Sequence, residues 1–313
     1  MNTSANHIET GCCAESHDHN SRGAHIHPVV KNLKIAFFLN ATFTVVEFIG
    51  GVLTNSVAIL SDAVHDLGDT FAIGASLFFE RYSTKARDRK YSYGYKRFSP
   101  LAAMINSIIL FAGSAIIIYE SAPRLLAPEA VHVEGMLLLA VLGVAMNGAA
   151  VLRLKKSGDS LNQRAVMLHL MEDALGWIAV LIGGVVMLIW NVPIIDPVLS
   201  LAIAAYILWN AVKNLKPVFR IFLQAVPQNI DELALKKKLK KLPHVKDVHD
   251  VHVWSLDGDY HILTLHLIVP DDLSRNAMIQ AKKDAMKIVA RQNVRHYTIE
   301  LEFESEKCAF ENC

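Results

Sequence analysis

The stretch Ala58–Thr70 sets Asp62, His65, Asp66 and Asp69 inside an otherwise apolar run. At about 100° per helical residue these four share one arc, while Ile59, Leu60, Ala63, Val64 and Leu67 cover the rest of the surface. A carboxylate at the centre of a membrane span costs roughly 2.5–3.5 kcal/mol on insertion scales, so three on one span demand compensation. The polar arc therefore faces something other than lipid. A second stretch, Ala165–Trp177, supplies the partner by repeating His, three residues, then Asp, as His169 and Asp173. Residues at i and i+4 project from one side of a helix, so each span presents one imidazole nitrogen beside one carboxylate oxygen. Two such helices side by side offer two nitrogens and two oxygens, a donor set suited to tetrahedral Zn²⁺ at about 2.0–2.2 Å. Hydrogen bonding between helices accounts for a lone intramembrane His or Asp, but poorly for a matched pair of repeats.

Six apolar spans run along the chain, over 33–54, 56–80, 98–121, 134–155, 165–190 and 195–214. Each is near the ~20 residues needed to cross the hydrocarbon layer. The 313 residues are 52% hydrophobic with a formal charge of +1, which describes a membrane protein with room for one soluble domain. The positive charges are segregated by loop. Arg81, Lys85, Arg87, Arg89, Lys90, Lys96 and Arg97 follow the second span, and Arg153, Lys155, Lys156 and Arg164 follow the fourth, whereas the opposite loops hold little besides Arg124. By the positive-inside rule both termini are cytoplasmic, and the basic residues set topology rather than mark a nucleic-acid partner.

Residues 1–30 carry His7, Cys12, Cys13, His17, His19, His25 and His27 among polar residues with no apolar leader core. They read as a disordered tail, able to collect metal or merely solvated. The transport bundle is assigned to 31–216, a soluble domain to 217–305 and a cysteine-bearing tail to 306–313. In the soluble part, a helix over 231–242 carries Leu233, Leu235, Leu239 and Leu242 against a lysine-rich face. Strands follow over 247–255 and 260–269, then a helix over 272–292 and a strand over 296–304. This α-β-β-α-β order fits a small α+β sandwich. Cys308 and Cys313, spaced C-x4-C, are a weak metal signal alone, and a reducing compartment disfavours their pairing.

Other polar residues in the spans leave more than one role open. Asn40, Glu47 and Asn106 either line a cavity or hydrogen-bond helices together. Asp62, Asp66 and Glu172 stand near the four candidate ligands as orienting or access groups. Asp196, just before Pro197, most simply caps the start of the sixth helix.

The segments SVAILSDAVHDLGD at 56–69, YSYGYKRFSPLAA at 91–103, RAVMLHLMEDALG at 164–176, IDPVLS at 195–200 and HDVHVWSL at 249–256 together resemble the cation diffusion facilitators, in their zinc-exporting branch. The resemblance covers nearly the whole chain after the first thirty residues. It implies a six-helix homodimeric antiporter exchanging Zn²⁺, with Cd²⁺ or Co²⁺ as further cargo, for H⁺. His65, Asp69, His169 and Asp173 would hold the ion in the lipid bilayer of a bacterial inner membrane. It further implies a ferredoxin-like cytosolic domain that dimerises, with His249, His266 and Glu302 at positions where relatives bind cytosolic metal and with Cys308 and Cys313 as possible additions. By pattern alone Glu302 shares a strand face with Thr298, Glu300 and Glu304 and reads as solvated surface. His252 falls on the opposite side of its strand from His249 and reads as structural. Where some members place histidines in the 91–98 loop, this chain has Tyr91 and Tyr95, so no metal site is expected there.

Neutral imidazole and carboxylate bind metal, so loading expels protons and protonation expels metal. The expected cycle is alternating access coupled to H⁺. An enzyme is not expected: H-E-x-x-H is absent, and four protein ligands leave no open position for substrate water. A non-transporting membrane metal receptor is the alternative that shares every ligand.

Overall fold

The computed structural model describes residues 23–83, 85–155 and 161–306, with the side chains of 23–36, 76–77, 80–81, 150, 153–155 and 161–169 outside the described set. His7, Cys12, Cys13, His17 and His19, and Cys308 and Cys313 at the other end, lie outside the described residues. Among the described residues six helices make the bundle: α1 (Gly23–Thr54), α2 (Val57–Ser83), α3 (Phe98–Leu126), α4 (Val133–Lys155), α5 (Leu161–Trp190) and α6 (Ile195–Phe222). The soluble part follows as α7 (Glu232–Leu239), β1 (Asp247–Ser255), β2 (His261–Val269), α8 (Arg275–Ala290) and β3 (Val294–Phe303).

Among the described residues four helices are long and apolar enough to cross a membrane: α1 over Phe37–Thr54, α3, α5 over Leu170–Trp190 and α6; α4 adds a shorter apolar run, Val133–Ala149. Helix α2, with its three aspartates, is not among the four and is enclosed by the others, packing against α1, α3 and α6. Its Ala58, Ile59 and Ala63 are fully buried. Small hydroxyls fasten its contact with α6: the Ser61 hydroxyl lies 3.1 Å from that of Ser200, which in turn lies 2.7 Å from the Ser121 hydroxyl on α3.

Two boundaries move from those the sequence suggests. Helix α1 begins at Gly23 and takes in residues 23–30 of the expected tail, including the backbone of His25 and His27. Helix α6 runs past residue 216 to Phe222. It leaves the apolar layer without a break because its end is itself amphipathic, with Ala211 and Val218 buried while Lys213 and Lys216 are exposed.

Asp196 also acts differently. Its carboxylate accepts from the Ser56 hydroxyl at 2.5 Å and from the backbone N–H groups of Val57 and Ala58 at 2.8 and 3.3 Å. It therefore caps α2, not its own helix. The first N–H groups of a helix have no intrahelical acceptor, and a buried helix start needs one from elsewhere in the fold.

In the soluble domain the sheet order is β1-β2-β3, with β1 antiparallel and β3 parallel to the central β2. One face of the central strand β2 is covered, so Leu263, Leu265, Leu267 and Val269 are fully buried, while Thr264, His266 and Ile268 on the other face are half-buried. From α7 the sheet receives Leu235 and Leu239, with Leu242 packed alongside, a set at i, i+4 and i+7. Leu233 stands about 200° from Leu235 and is 69% exposed, so the sequence-based apolar face was one residue too generous.

Two measurements check this account. Asp196→Ala leaves one buried hydroxyl and two backbone donors without their acceptor, and the purified protein is expected to lose about 1–3 kcal/mol of stability, read as a lower melting temperature. His261 is buried with Nε2 at 3.3 Å from Asn229 Nδ2, and burial holds its pKa below the ordinary imidazole value against the opposing pull of Asp257 and Asp259. The unfolded state thus takes the proton more readily. Stability of the soluble domain is expected to fall as pH drops through about 6.5, by at most about 1.4 kcal/mol per pH unit, followed as hydrogen exchange of β2 in the full chain.

Candidate metal centre

The aspartate-rich arc of α2 faces α5. His65 Nε2 lies 3.6 Å from Asp69 Oδ2 on its own helix and 3.5 Å from Asp173 Oδ1 on α5. One donor atom from each of these three residues falls within 4.8 Å of the other two, a spacing that one divalent cation can satisfy. Asp173 is buried and the other two are half-buried. His169 lies on α5 one helical turn before Asp173, and its side chain is outside the described set.

The cluster opens on a cavity of about 310 Å³ walled by α2, α5 and α6, with Asp62, His65, Glu172, Asp173 and Tyr206 as its polar lining. Ala179, Leu199, Ala202, Ile203 and Ile207 make the remaining wall apolar. Glu172 is tied across the cavity to α6 by the Tyr206 hydroxyl, which donates to its carboxylate. Gly176 faces the Asp62 carboxylate across the α2–α5 contact, where a Cβ would stand at an ordinary contact distance of 3.6 Å.

The position of α5 is set one helical turn beyond Asp173. Trp177 is buried against Phe43 of α1, ring centroids 5.9 Å apart, and against α4 at Gly143, where an added Cβ would sit 2.2 Å from the indole. An indole of this size registers α5 against α4 and so fixes where Asp173 points.

Behind the cluster lie groups that sequence reasoning placed loosely. Asn40 donates to the Asp66 carbonyl at 3.1 Å and to the Thr70 hydroxyl at 2.9 Å, a helix-packing role. Glu47 of α1 is fully buried beside Asp66, which joins it to the acidic interior of α2. Its spacing from Asn40, seven residues on one helix face, was the available signal.

A second cluster lies on the soluble sheet. His249 and His266 are directly opposed on β1 and β2, and Glu302 reaches them from β3. His249 Nε2 stands 3.1 Å from Glu302 Oε2, and His266 Nδ1 stands 2.6 Å from Glu302 Oε1. One donor atom from each lies within 4.8 Å of the others. Glu302 is buried, not solvated as its strand pattern suggests, because its carboxylate turns onto the two imidazoles. Asp250 joins the group unforeseen, with Oδ2 at 3.5 Å from His266 Nε2. A β-bulge between His249 and His252, with Asp250 at φ 47°, breaks the strand's alternation and swings this carboxylate in. The same carboxylate holds His252 Nε2 at 2.8 Å from Oδ1. Two half-buried imidazoles around a buried carboxylate are a fitting donor set for zinc.

In the 91–98 loop, Asp88 accepts from the Tyr95 hydroxyl at 2.7 Å and from the N–H groups of Lys90 and Tyr91. The phenol contact, with those N–H bonds, holds its pKa below the usual carboxylate value. That carboxylate is spent on loop structure, and the described side chains there make no metal cluster.

Two family descriptions match the chain in order: the cation efflux transmembrane domain over residues 33–223, and the cation efflux protein cytoplasmic domain over 227–304. The chain belongs to the cation efflux family. It is 32% identical over 290 residues to the metal cation efflux system protein CzcD of Cupriavidus metallidurans, covering 92% of this chain and 89% of that one. It is 32% identical over 286 residues to the zinc transporter ZitB of Yersinia pseudotuberculosis, covering 90% of each. It is also 30% identical over 292 residues to a cadmium, cobalt and zinc/H(+)-K(+) antiporter of Bacillus subtilis, covering 92% of each. The boundary at 223 between the two matched domains agrees with the end of α6 at Phe222.

The indole contact makes a prediction free of any ligand change. Gly143→Val is expected to overpack the α4–α5 seam by about 1–3 kcal/mol. It should also weaken zinc binding in the bundle severalfold, read by calorimetric titration of the purified protein.

Proposed function

We propose that the protein exports Zn²⁺ from the cytoplasm in exchange for H⁺ by alternating access, as a homodimer with both termini cytoplasmic. The observation that carries this reading is the convergence of His65, Asp69 and Asp173 from two separate helices on one point inside the bundle. His169, one turn from Asp173, completes the proposed tetrad. Relatives named for zinc, cadmium and cobalt transport support a soft-to-borderline divalent cargo, and the donor set of imidazole and carboxylate agrees with it.

The coupling follows from the donors. Zn²⁺ binds imidazole only when a nitrogen lone pair is free and carboxylate only when ionised, so a cation entering the cluster displaces the protons held there. Protons arriving from the opposite side displace the cation in turn. Asp62 and Glu172 in the cavity wall orient the donors and give the ion polar footholds on its way through an otherwise apolar chamber. Held across three strands, the His249–His266–Glu302 cluster would bind a regulatory zinc on the cytosolic side and stiffen the sheet that dimerises. Asp250 would orient His266, and Cys308 and Cys313 remain candidate additional thiolates.

Reconstitution in vesicles tests the scheme. Zinc flux is expected to follow an imposed pH gradient, to reverse with it, and to fall at least a hundredfold in Asp173→Ala. Flux indifferent to the gradient would remove the antiport, and binding without flux would leave a metal receptor. Glu302→Gln is expected to lower zinc binding by the soluble domain at least tenfold while the bundle site still binds. His65→Asp is expected to loosen the preference for zinc in a competition titration, because it exchanges a borderline nitrogen for a hard oxygen donor.

A further inference from the structure

The segment between α2 and α3 presents positive charge from a fixed frame. Asp88 gathers the Lys90 and Tyr91 N–H groups and the Tyr95 hydroxyl, and Gly94 turns the chain at φ 75°, where a Cβ would meet the Lys85 carbonyl at 3.0 Å. Tyr82, Tyr91 and Phe98 pack around Tyr95 beneath it. Lys85 Nζ stands 4.8 Å from the centre of the Tyr95 ring.

The soluble domain faces this frame directly. Lys96 Nζ lies 4.8 Å from the Tyr260 ring centre and 3.9 Å from the Asp257 carboxylate, and Tyr93 meets His296 edge-on at 5.4 Å. Between the two surfaces is a cleft of about 250 Å³ lined by Lys85, Arg87, Lys96 and His296, with Ser83, Ser92, Tyr93 and Tyr260 as hydroxyl neighbours. Asp257 answers Lys96, but among the described residues neither Lys85 nor Arg87 has a carboxylate within 4.0 Å. The cleft thus holds two cations with no carboxylate in direct contact, Lys85 sensing Asp88 only at longer range, beside an imidazole. Ser83 is the last residue of α2, so the cleft sits where the bundle gives way to the soluble domain. In a bilayer crossed by the bundle, the end of a spanning helix lies near the phospholipid headgroups.

We propose that this cleft is a binding site for a phosphate-bearing anion, supplied by the headgroup of an anionic phospholipid in the adjoining leaflet. A guanidinium and two ammonium groups around a phosphate make charge-assisted hydrogen bonds, and basic pockets at this depth attract such headgroups. Occupied, the site would join the α2–α3 segment to β2 and β3 through one anion and fasten the soluble sheet to the bundle. Free phosphate offers the same chemistry without the acyl anchor.

The test uses the full chain, delipidated in neutral detergent, and reads melting temperature and binding with three probes: phosphatidylglycerol micelles, phosphatidylcholine micelles and inorganic phosphate. Stabilisation by phosphatidylglycerol alone is the expected result. The double variant Lys85→Gln/Arg87→Gln should bind it at least tenfold more weakly, while Lys282→Gln/Lys283→Gln on exposed α8 should bind as the parent does. The charge-preserving pair Lys85→Arg/Arg87→Lys guards against misfolding and should retain most of the affinity. Equal stabilisation by inorganic phosphate would keep the anion site and overturn its lipid source. Equal binding by the double variant and the parent, or equal loss in the α8 control, would overturn the site itself.

Discussion

The dearest element in this molecule is the set of acidic side chains held away from water, and the bundle is arranged around their disposal. Asp62, Asp66 and Asp69 on α2, Glu47 on α1 and Asp173 on α5 would each cost several kcal/mol against lipid. The fold answers by putting α2 inside, wrapped by α1, α3 and α6, and by turning its acidic arc toward α5 and a polar-lined cavity. Apolar helices take the lipid-facing positions because nothing in them is penalised there. The proposed transport cluster is where this arrangement is least self-sufficient. Two carboxylates converge on an imidazole, and a divalent cation is the partner that neutralises them best.

Rigidity around the cluster comes from groups that never touch it. Asp196 pins the start of α2 from α6, Ser61, Ser121 and Ser200 hold α2, α3 and α6 together, and Trp177 registers α5 on α4. A site assembled from separate helices is only as well defined as the contacts between them. These contacts are polar at the buried core of α2 and apolar at the rim of α5.

Much of the site was readable because helical geometry is local. His65 and Asp69, like His169 and Asp173, are joined by a fixed turn, so their kinship is written in the spacing. The strands of the soluble domain were readable for the same reason, from alternation and flanking turns. Glu302 and Asp250 were not. Strand parity assigned Glu302 to solvent, yet a neighbouring pair of imidazoles drew it in, and a bulge at Asp250 reset the alternation that any pattern argument relies on. Leu233 erred in the other direction, since a leucine near an amphipathic face was counted as part of it.

By itself the sequence determined that the chain crosses a membrane, that two helices carry matched imidazole and carboxylate donors, and that a small α+β domain follows, because each is a periodic property of consecutive residues. Only the tertiary structure decided which helix Asp196 caps, how three strands bring His249, His266 and Glu302 together, and where the basic loop meets the soluble sheet. Those are contacts between residues far apart in the chain, and no local rule of helix or strand fixes which distant surface a side chain will find.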